Sequence, residues 1–278
     1  MIVELLPLIC IVVLVGLTSG VLAGMLGIGG GAVIVPGMYF SLSVLGYTAD
    51  AIIHVSIATA VSVIVVNGAV SVRHHNKRGA VDWSIILNRN LFVSWSLWIG
   101  IGAFITSLVI APKLSGRSLA IIFSVLMAAM SLQLIFGKPN WRLRDSIPGG
   151  AAPAIGGSAI GGISSLMGIG GGTFTVPLMT MCGMPIHRAI GTASGLGLAI
   201  SIPASIGFVI SGWSVDGRPP LSLGYVNLVG FFVVAMVSYF AVPLGVHLSH
   251  KLDPSKLRRV FGLLMIVVAF GMIRKALA

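Results

Sequence analysis

Long runs of apolar residues, interrupted by short polar segments, make up almost the whole chain. A helix needs about 20 apolar residues to cross the hydrocarbon core of a bilayer. By that measure the pattern predicts eight full-length transmembrane helices and two half-length segments, each of which follows a cluster of glycines. The full-length runs are approximately 3–24, 50–72, 84–110, 117–137, 149–167, 186–212, 223–248 and 258–276, and the half-length ones are 32–46 and 173–183.

The composition supports a membrane protein. Of the 278 residues, 56% are hydrophobic and only 8% are charged, and the mean hydropathy is +1.07. Soluble domains carry about 25% charged residues, so this chain has too little charge to face water. The composition excludes a soluble enzyme, a nucleic-acid-binding protein, a coiled coil and a disordered chain. We predict an all-α integral membrane protein, a polytopic helical bundle that binds no nucleic acid.

The charged residues lie between the apolar runs. Seventeen Lys and Arg oppose six Asp and Glu, for a net charge of +11. The basic residues form short patches at the ends of runs, which is typical of anchors to anionic lipid headgroups. No carboxylate lies in the middle of a run. Because an intramembrane carboxylate usually marks a cation site, this pattern argues against a cation transporter and leaves room for an anion.

An internal repeat divides the chain. The segment 24–31 recurs as 165–172, an offset of 141 residues or about half the chain. We predict a first transmembrane repeat over 1–137, a basic linker over 138–148 and a second transmembrane repeat over 149–278. Four crossings in each half would make the repeats parallel, whereas a half-length segment that also crosses would make them inverted. The sequence leaves both arrangements open.

The two glycine clusters are the candidate binding site. Each places four glycines within five residues, at 27–31 and 168–172. Glycine costs about 1 kcal/mol against alanine in a helix, and matching broken helices in two halves are the best sequence pointer to a transporter's central site. Broken backbone exposes N–H groups that can bind an oxyanion; close helix packing is the alternative. The predicted substrate-binding residues are Gly29, Gly30, Gly31, Gly170, Gly171 and Gly172, with Thr173 as a hydroxyl donor.

Four further polar residues lie inside apolar runs. Downstream of the clusters the offset falls to 138, which aligns Ser56 with Ser194 and His54 with Thr192. Ser56, Ser194, Thr192 and Asn67 are predicted to line a polar cavity. A polar contact between helices is the default alternative for Asn67.

The same offset aligns two opposite charges, Asp50 and Arg188. If the halves pack about a pseudo-two-fold axis, these side chains are predicted to form a gating or steering pair; two unrelated interfacial charges are the alternative. His54 is a candidate for carrying a coupling proton, since histidine titrates near neutrality. A neutral histidine hydrogen-bonded between helices is the competing interpretation.

The glycine segments also carry a family resemblance. GMLGIGGGAVIVP over 24–36, LMGIGGGTFTVP over 166–177 and HRAIGTASGLG over 187–197 together resemble the sulfite exporter TauE/SafE family. The resemblance covers essentially the whole chain. It implies a multi-pass protein of the cell inner (plasma) membrane that exports a small, sulfur-containing anion. The first half departs from the second after its glycine cluster, reading DAIIHVSIATA over 50–60, so the halves are expected to contribute unequally.

We therefore expect a secondary transporter that exports a small oxyanion such as sulfite or an organosulfonate, not an enzyme. The chain contains no GxxxxGK[ST] motif, so membrane potential or proton coupling would drive transport. No catalytic residue, cofactor or metal site is expected, and the two isolated cysteines suggest none. A non-transporting membrane assembly protein is one alternative. An intramembrane serine hydrolase, with Ser194 as nucleophile and His54 or His247 as base, is another.

Overall fold

The computed structural model describes residues 2–47, 49–87, 90, 94–137, 144–251 and 254–277, without the side chains of 2–9, 49–50 and 254–258. The described residues form eleven α-helices and one small hairpin. The first six helices are α1 (Ile2–Leu26), α2 (Gly31–Val44), α3 (Ala49–Asn76), α4 (Trp83–Ile86), α5 (Trp95–Ile105) and α6 (Gly116–Phe136). The others are α7 (Ser158–Met167), α8 (Gly172–Met181), α9 (Ile186–Ser211), α10 (Leu228–Ser249) and α11 (Pro254–Leu277).

Irregular turns extend two of these helices. A π-helical turn at Thr106–Ile110 and a 3₁₀ turn at Ala111–Lys113 continue α5, and a π-helical turn at Pro153–Gly157 precedes α7. The antiparallel strands β1 (Ser222–Leu223) and β2 (Val226–Asn227) lead into α10.

Six helices are long and apolar enough to cross a membrane: α3, α5 with its extension, α6, α9, α10 and α11. The helices α1 and α7 take the places of the other two predicted spans, and α2 and α8 take those of the half-length segments. The predicted all-α, multi-pass membrane fold is therefore confirmed. The count of eight crossings stays a prediction, as does the homology of the two halves.

The centre of the bundle is the pair α3 and α9, which run antiparallel. Ser62 of α3 donates a hydrogen bond to Ser205 of α9 at 3.2 Å, and Ser71 pairs with Ser194 at 2.9 Å. As the number on α3 rises, the number of its partner on α9 falls, so the helices point in opposite directions. Under the predicted repeat these two helices are equivalents.

Each end of the bundle collects a different set of chain segments. We call the end where α3 finishes and α9 begins the basic end, because Arg73, Lys77, Arg78 and Arg188 lie there. The other end, where α3 begins and α9 finishes, is the opposite end. It carries Lys113, whose turn lies beside the start of α3 through a contact between Ala111 and His54.

The first helix of each half packs on a helix of the other half. Along the α1–α10 contact, Gly16 lies on Val237 and Gly24 lies on Val242, so the two helices run parallel. Helix α7 lies on α5 in the same way, with Gly161 against Ile99. Small residues at such contacts let helix backbones approach closely in a membrane. The halves are therefore interlocked rather than placed side by side.

Helix α2 runs back along α1. Gly30 lies on Ser19 and Gly37 lies on Val15, so α2 rises from the middle of the bundle toward the opposite end, where α3 begins. The half-length segment thus forms a separate helix, which connects the end of α1 to the beginning of α3. If the two halves are repeats, the path of α2 makes them inverted, because it leaves α3 and α9 antiparallel; the repeat itself stays a prediction.

The inverted arrangement predicts which loops share a side of the membrane. Cysteines introduced at Lys77 and Lys251 should react with an impermeant thiol reagent from one side, and cysteines at Lys113 and Arg218 from the other. The measurement is labelling of single-cysteine variants in oriented vesicles, with Cys10 and Cys182 replaced. Labelling of Lys77→Cys and Lys113→Cys from the same side would contradict the arrangement.

Candidate functional site

The two glycine breaks meet face to face in the middle of the bundle. Helix α1 ends at Leu26 and α2 begins at Gly31, while α7 ends at Met167 and α8 begins at Gly172. A Cβ added at Gly31 would collide with the carbonyl oxygen of Gly168, and one added at Gly172 would collide with that of Gly27. The helix breaks predicted from the sequence are therefore present, and their backbones cross in contact.

Backbone conformation explains why the first break is made of glycine. Gly30 has φ +84°, in the left-handed region, and a Cβ there would lie 2.5 Å from the carbonyl oxygen of Ser19. A residue with a side chain would be strained by the φ angle and would also displace α1. The break thus depends on glycine both for its turn and for its packing.

The crossing brings two helix N-termini together. In α2 the first backbone hydrogen bond runs from the N–H of Val33 to the carbonyl oxygen of Gly30, at 3.1 Å. The corresponding N–H in α8 is that of Phe174, to Gly171, at 3.0 Å. Among the described residues, the N–H groups of 28–32 and 170–173 have no acceptor, and the positive ends of both helix dipoles face the crossing. The amides of Gly29–Gly31 and Gly170–Gly172 thus make no backbone hydrogen bond among the described residues.

A narrow cleft runs beside the crossing, between α3 and α9. Its interior is too tight to admit a water molecule. Hydrophobic Ile64 lies against Gly29 and fills much of the space. A hydrated pocket is thus not open in this conformation. The cleft is lined by Ala23, Gly27, Gly29, Ile64, Asn67, Gly68, Ser71, Gly170, Ser194 and Gly197.

Asn67 joins three elements at the cleft. Its Nδ2 donates to the carbonyl oxygen of Gly29 at 3.1 Å, and its Oδ1 accepts a hydrogen bond from Ser238 of α10 at 2.6 Å. Asn67 is fully buried. The Asn67 side chain lines the cleft, and its two hydrogen bonds link the first break to α10 through α3. Cavity lining and a polar contact between helices, the two interpretations of Asn67, are therefore compatible.

The predicted hydroxyl residues are spread over the bundle rather than gathered at one place. Ser194 lines the cleft, and its hydroxyl lies 2.9 Å from that of Ser71. Thr173, in the first turn of α8, contacts the carbonyl oxygen of Gly170 at 3.5 Å. Ser56 donates to Ile52 of its own helix at 2.6 Å, and Thr192 accepts from the backbone of Asp82 at 2.9 Å. Only Ser194 and Thr173 lie at the glycine breaks.

The predicted pairing of Asp50 with Arg188 is corrected. Arg188 forms an ion pair with Asp82 at 2.9 Å, at the basic end. Asp50 begins α3 at the opposite end, and its side chain lies outside the described residues. The physical reason is the antiparallel α3–α9 pair, which places equivalent positions at opposite ends of the bundle instead of side by side.

His54 also lies away from the breaks. Its Nε2 is 3.0 Å from the carbonyl oxygen of Ala111, and its ring stacks on Tyr225 with centroids 5.2 Å apart. These contacts hold the opposite end together. They also separate His54 from Ser194, whose hydroxyl contacts Ser71 and Ile190. The pairing of Ser194 with His54 that a serine hydrolase would need is therefore not formed.

A larger cavity that the sequence did not indicate opens beside the second break. Its volume is about 40 Å³, and it reaches from the basic end to Gly172 and Thr173 at the start of α8. The residues that line this cavity come from five helices, so no single stretch of sequence reveals it. The rest of its wall is mainly apolar: Met25, Leu26, Ile28, Leu134, Val176, Pro177, Thr180, Ile186, Ile190 and Ser249.

The Asn67 contacts generate a stability prediction. Asn67→Ala should lower the free energy of unfolding by about 1–3 kcal/mol, because Gly29 and Ser238 lose a buried partner. A double-mutant cycle with Ser238→Ala should give a coupling energy of about 0.5–2 kcal/mol. The measurement is unfolding in mixed detergent micelles. Strict additivity of the two substitutions would show that the Asn67–Ser238 hydrogen bond contributes nothing.

Comparison with known proteins assigns the chain to a family. The family profile described as "Sulfite exporter TauE/SafE" matches residues 12–272. A Haemophilus influenzae protein named "Probable membrane transporter protein" is 32% identical over 268 residues, covering 96% of this chain and 98% of the relative. A Methanocaldococcus jannaschii protein named "Probable membrane transporter protein MJ0441" is 24% identical, with 97% of each chain covered. No solved structure matches. The family profile covers nearly the whole of this membrane protein, including both crossed glycine breaks. This chain belongs to the sulfite exporter TauE/SafE family.

Proposed function

We propose that this membrane transporter is a secondary exporter of a small oxyanion, sulfite or an organosulfonate, across the inner or plasma membrane. The observation that carries the proposal is the pair of helix N-termini that meet in the middle of the bundle, at Gly31 and Gly172. Free N–H groups and two helix dipoles stabilise negative charge at such a point. A small oxyanion can approach these amides because no Cβ surrounds them.

The lining of the cleft fits an anion rather than a cation. Its side chains are neutral, with Asn67, Ser71 and Ser194 as the polar ones. No carboxylate is present among the described residues that line it. The charge of the substrate would therefore be balanced by backbone dipoles, which bind it weakly enough for release on the other side.

The charge distribution supports export as the direction of transport. The basic end carries the Arg73–Arg78 segment and the beginning of α11 with its lysine and arginines. The positive-inside rule places this end in the cytoplasm. The cavity beside the second break opens at the same end and reaches Gly172, so the substrate would enter from the cytoplasm. The membrane potential, negative inside, then drives the anion outward.

The closed cleft requires a conformational change for transport. Because the space beside Gly29 is too tight for water, the described conformation would hold the two sides of the membrane apart. Inverted repeats supply the motion in many transporters, since rocking one half against the other opens each side in turn. The parallel contacts of α1 with α10 and of α7 with α5 are the surfaces across which the halves would move.

Gly197 offers a direct test of the cleft as the transport path. Its Cβ would meet nothing within 4 Å and would project into the cleft, so Gly197→Val should insert and fold while filling the passage. We expect export from proteoliposomes to fall by about tenfold or more. The assay compares efflux of sulfite, thiosulfate, methanesulfonate and small carboxylates.

Gly271→Val in α11 is the matched control for this test. An added Cβ there meets only Phe40, at 3.8 Å, and Gly271 lies outside the cleft. Export by this variant should stay within about twofold of the unsubstituted protein. Equal export by both variants would remove the cleft from the path, and transport of no anion by any of the three proteins would favour a membrane assembly protein.

Gly171 tests the amides themselves. Its φ is −55°, and a Cβ there would press on the flexible end of Ile200, so Gly171→Val should fold, unlike a substitution at the strained Gly30. We expect the variant to lose the thermal stabilisation that the transported anion gives the unsubstituted protein. The readout is the melting temperature with and without the anion. An unchanged shift would place the anion elsewhere.

A further inference from the structure

Five of the six histidines lie at the basic end, and three of them form a cluster. His187 of α9 stacks on His250 with ring centroids 4.8 Å apart, and His75 of α3 lies 5.8 Å from His250. Among the described residues no three side chains of metal-ligating type are placed to hold a metal ion. The proposed function uses none of these rings.

The cluster leads from the surface toward the first glycine break. His250 is exposed, His187 is partly buried and His75 is fully buried. The Nε2 of His75 lies 3.0 Å from the carbonyl oxygen of Gly24, one turn before the break. A carbonyl only accepts hydrogen bonds, so Nε2 carries the proton and the neutral ring leaves a lone pair on Nδ1.

Two ring nitrogens in the cluster have no partner. The Nδ1 atoms of His75 and His187 are buried without a hydrogen bond. Buried polar atoms are paired in the great majority of cases, so each unpaired one requires an explanation. A nitrogen lone pair held free in this way is a place to bind a proton.

Basic side chains and two further histidines from three helices lie at the same end as the cluster. Helix α3 contributes Arg73, His74, Lys77 and Arg78, and the end of α10 contributes His247, His250 and Lys251. Helix α9 contributes His187 and Arg188, and Arg188 is already paired with Asp82. Arg78 repels a proton that is added to the closed cluster. Burial, followed by repulsion from Arg78, also lowers the pKa of His250 below its usual value.

We propose that His75, His187 and His250 form a proton-operated gate at the basic end, whose opening takes up protons and admits the anion to the glycine breaks. Opening hydrates the rings, and a hydrated imidazole takes up a proton more readily than one that is buried beside cations. Protons then bind the open form more tightly than the closed form, so acidification shifts the equilibrium toward opening.

The size of the effect follows from the same linkage. If one imidazole of ordinary pKa, about 6.5, takes up a proton only in the open form, the opening equilibrium increases about tenfold between pH 8 and pH 5.5. The gate would respond to the proton that accompanies an accumulating acid, because an acid formed in the cytoplasm releases its anion and its proton together. The inference rests on the proposed function only in naming what passes through the gate.

Accessibility of Ser71 reads out the opening without any substrate. Ser71 lies one turn before His75 on α3 and faces the cleft. In a background of Cys10→Ser and Cys182→Ala, Ser71→Cys would be labelled with a charged methanethiosulfonate. The exposed Lys77→Cys serves as reference thiol and corrects for the pH dependence of the reagent. The normalised rate should rise about tenfold from pH 8 to pH 5.5.

Substitution of single histidines then distinguishes the gate from an effect of acid on the protein as a whole. His75→Gln keeps a donor for Gly24 but binds no proton, and it should hold the change in normalised rate below about twofold. His74→Gln, the same substitution at the neighbouring position, should keep the tenfold rise. Should His75→Gln fold poorly, the exposed His250→Gln replaces it, with a reduced rise expected.

A flat rate in the parent protein, or an undiminished rise in His75→Gln and His250→Gln, would overturn the gate. Loss of the rise in His54→Gln alone would also overturn it, by assigning the proton to the opposite end. Because no anion is present, none of these outcomes bears on the proposed export, which the Gly197 and Gly171 variants test separately.

Discussion

The fold depends on a close crossing of two backbones at a point where neither can carry a side chain. Gly31 lies on Gly168, and Gly172 lies on Gly27, so each break excludes a Cβ from the other. This mutual constraint keeps four helix ends in the middle of the bundle. It also leaves their N–H groups without partners, which is costly in a membrane unless something else satisfies them. The glycines that the packing requires are thus the ones at which we propose that the anion binds.

The interlocked arrangement follows from that crossing. Because α2 turns back from the centre toward the end where α3 begins, α3 and α9, the equivalent helices under the predicted repeat, point in opposite directions. One end of the bundle consequently gathers the basic segments, the histidine cluster and the mouth of the larger cavity. The two ends of the bundle therefore differ, and under the proposed function the anion enters at the basic end.

Hydropathy and glycine spacing predicted the membrane fold and the position of both helix breaks, because these features depend on local sequence. The contacts between distant segments could not be read in this way. Asp50 and Arg188 align by offset, yet the structure pairs Arg188 with Asp82, since the offset carries no information on helix direction. Likewise the histidine cluster joins residues more than 100 positions apart, and nothing local marks His75 as different from His74.

The central claim is that the amides of the two breaks bind the transported anion. The most direct measurement is an experimental structure of the full chain in lipid nanodiscs, determined with and without a saturating concentration of the anion that the efflux assay identifies. We predict that the anion lies between the starts of α2 and α8, within hydrogen-bond distance of the N–H groups of Gly29–Gly31 and Gly170–Gly172. An anion held only by side chains elsewhere, with both glycine breaks unoccupied, would contradict the account.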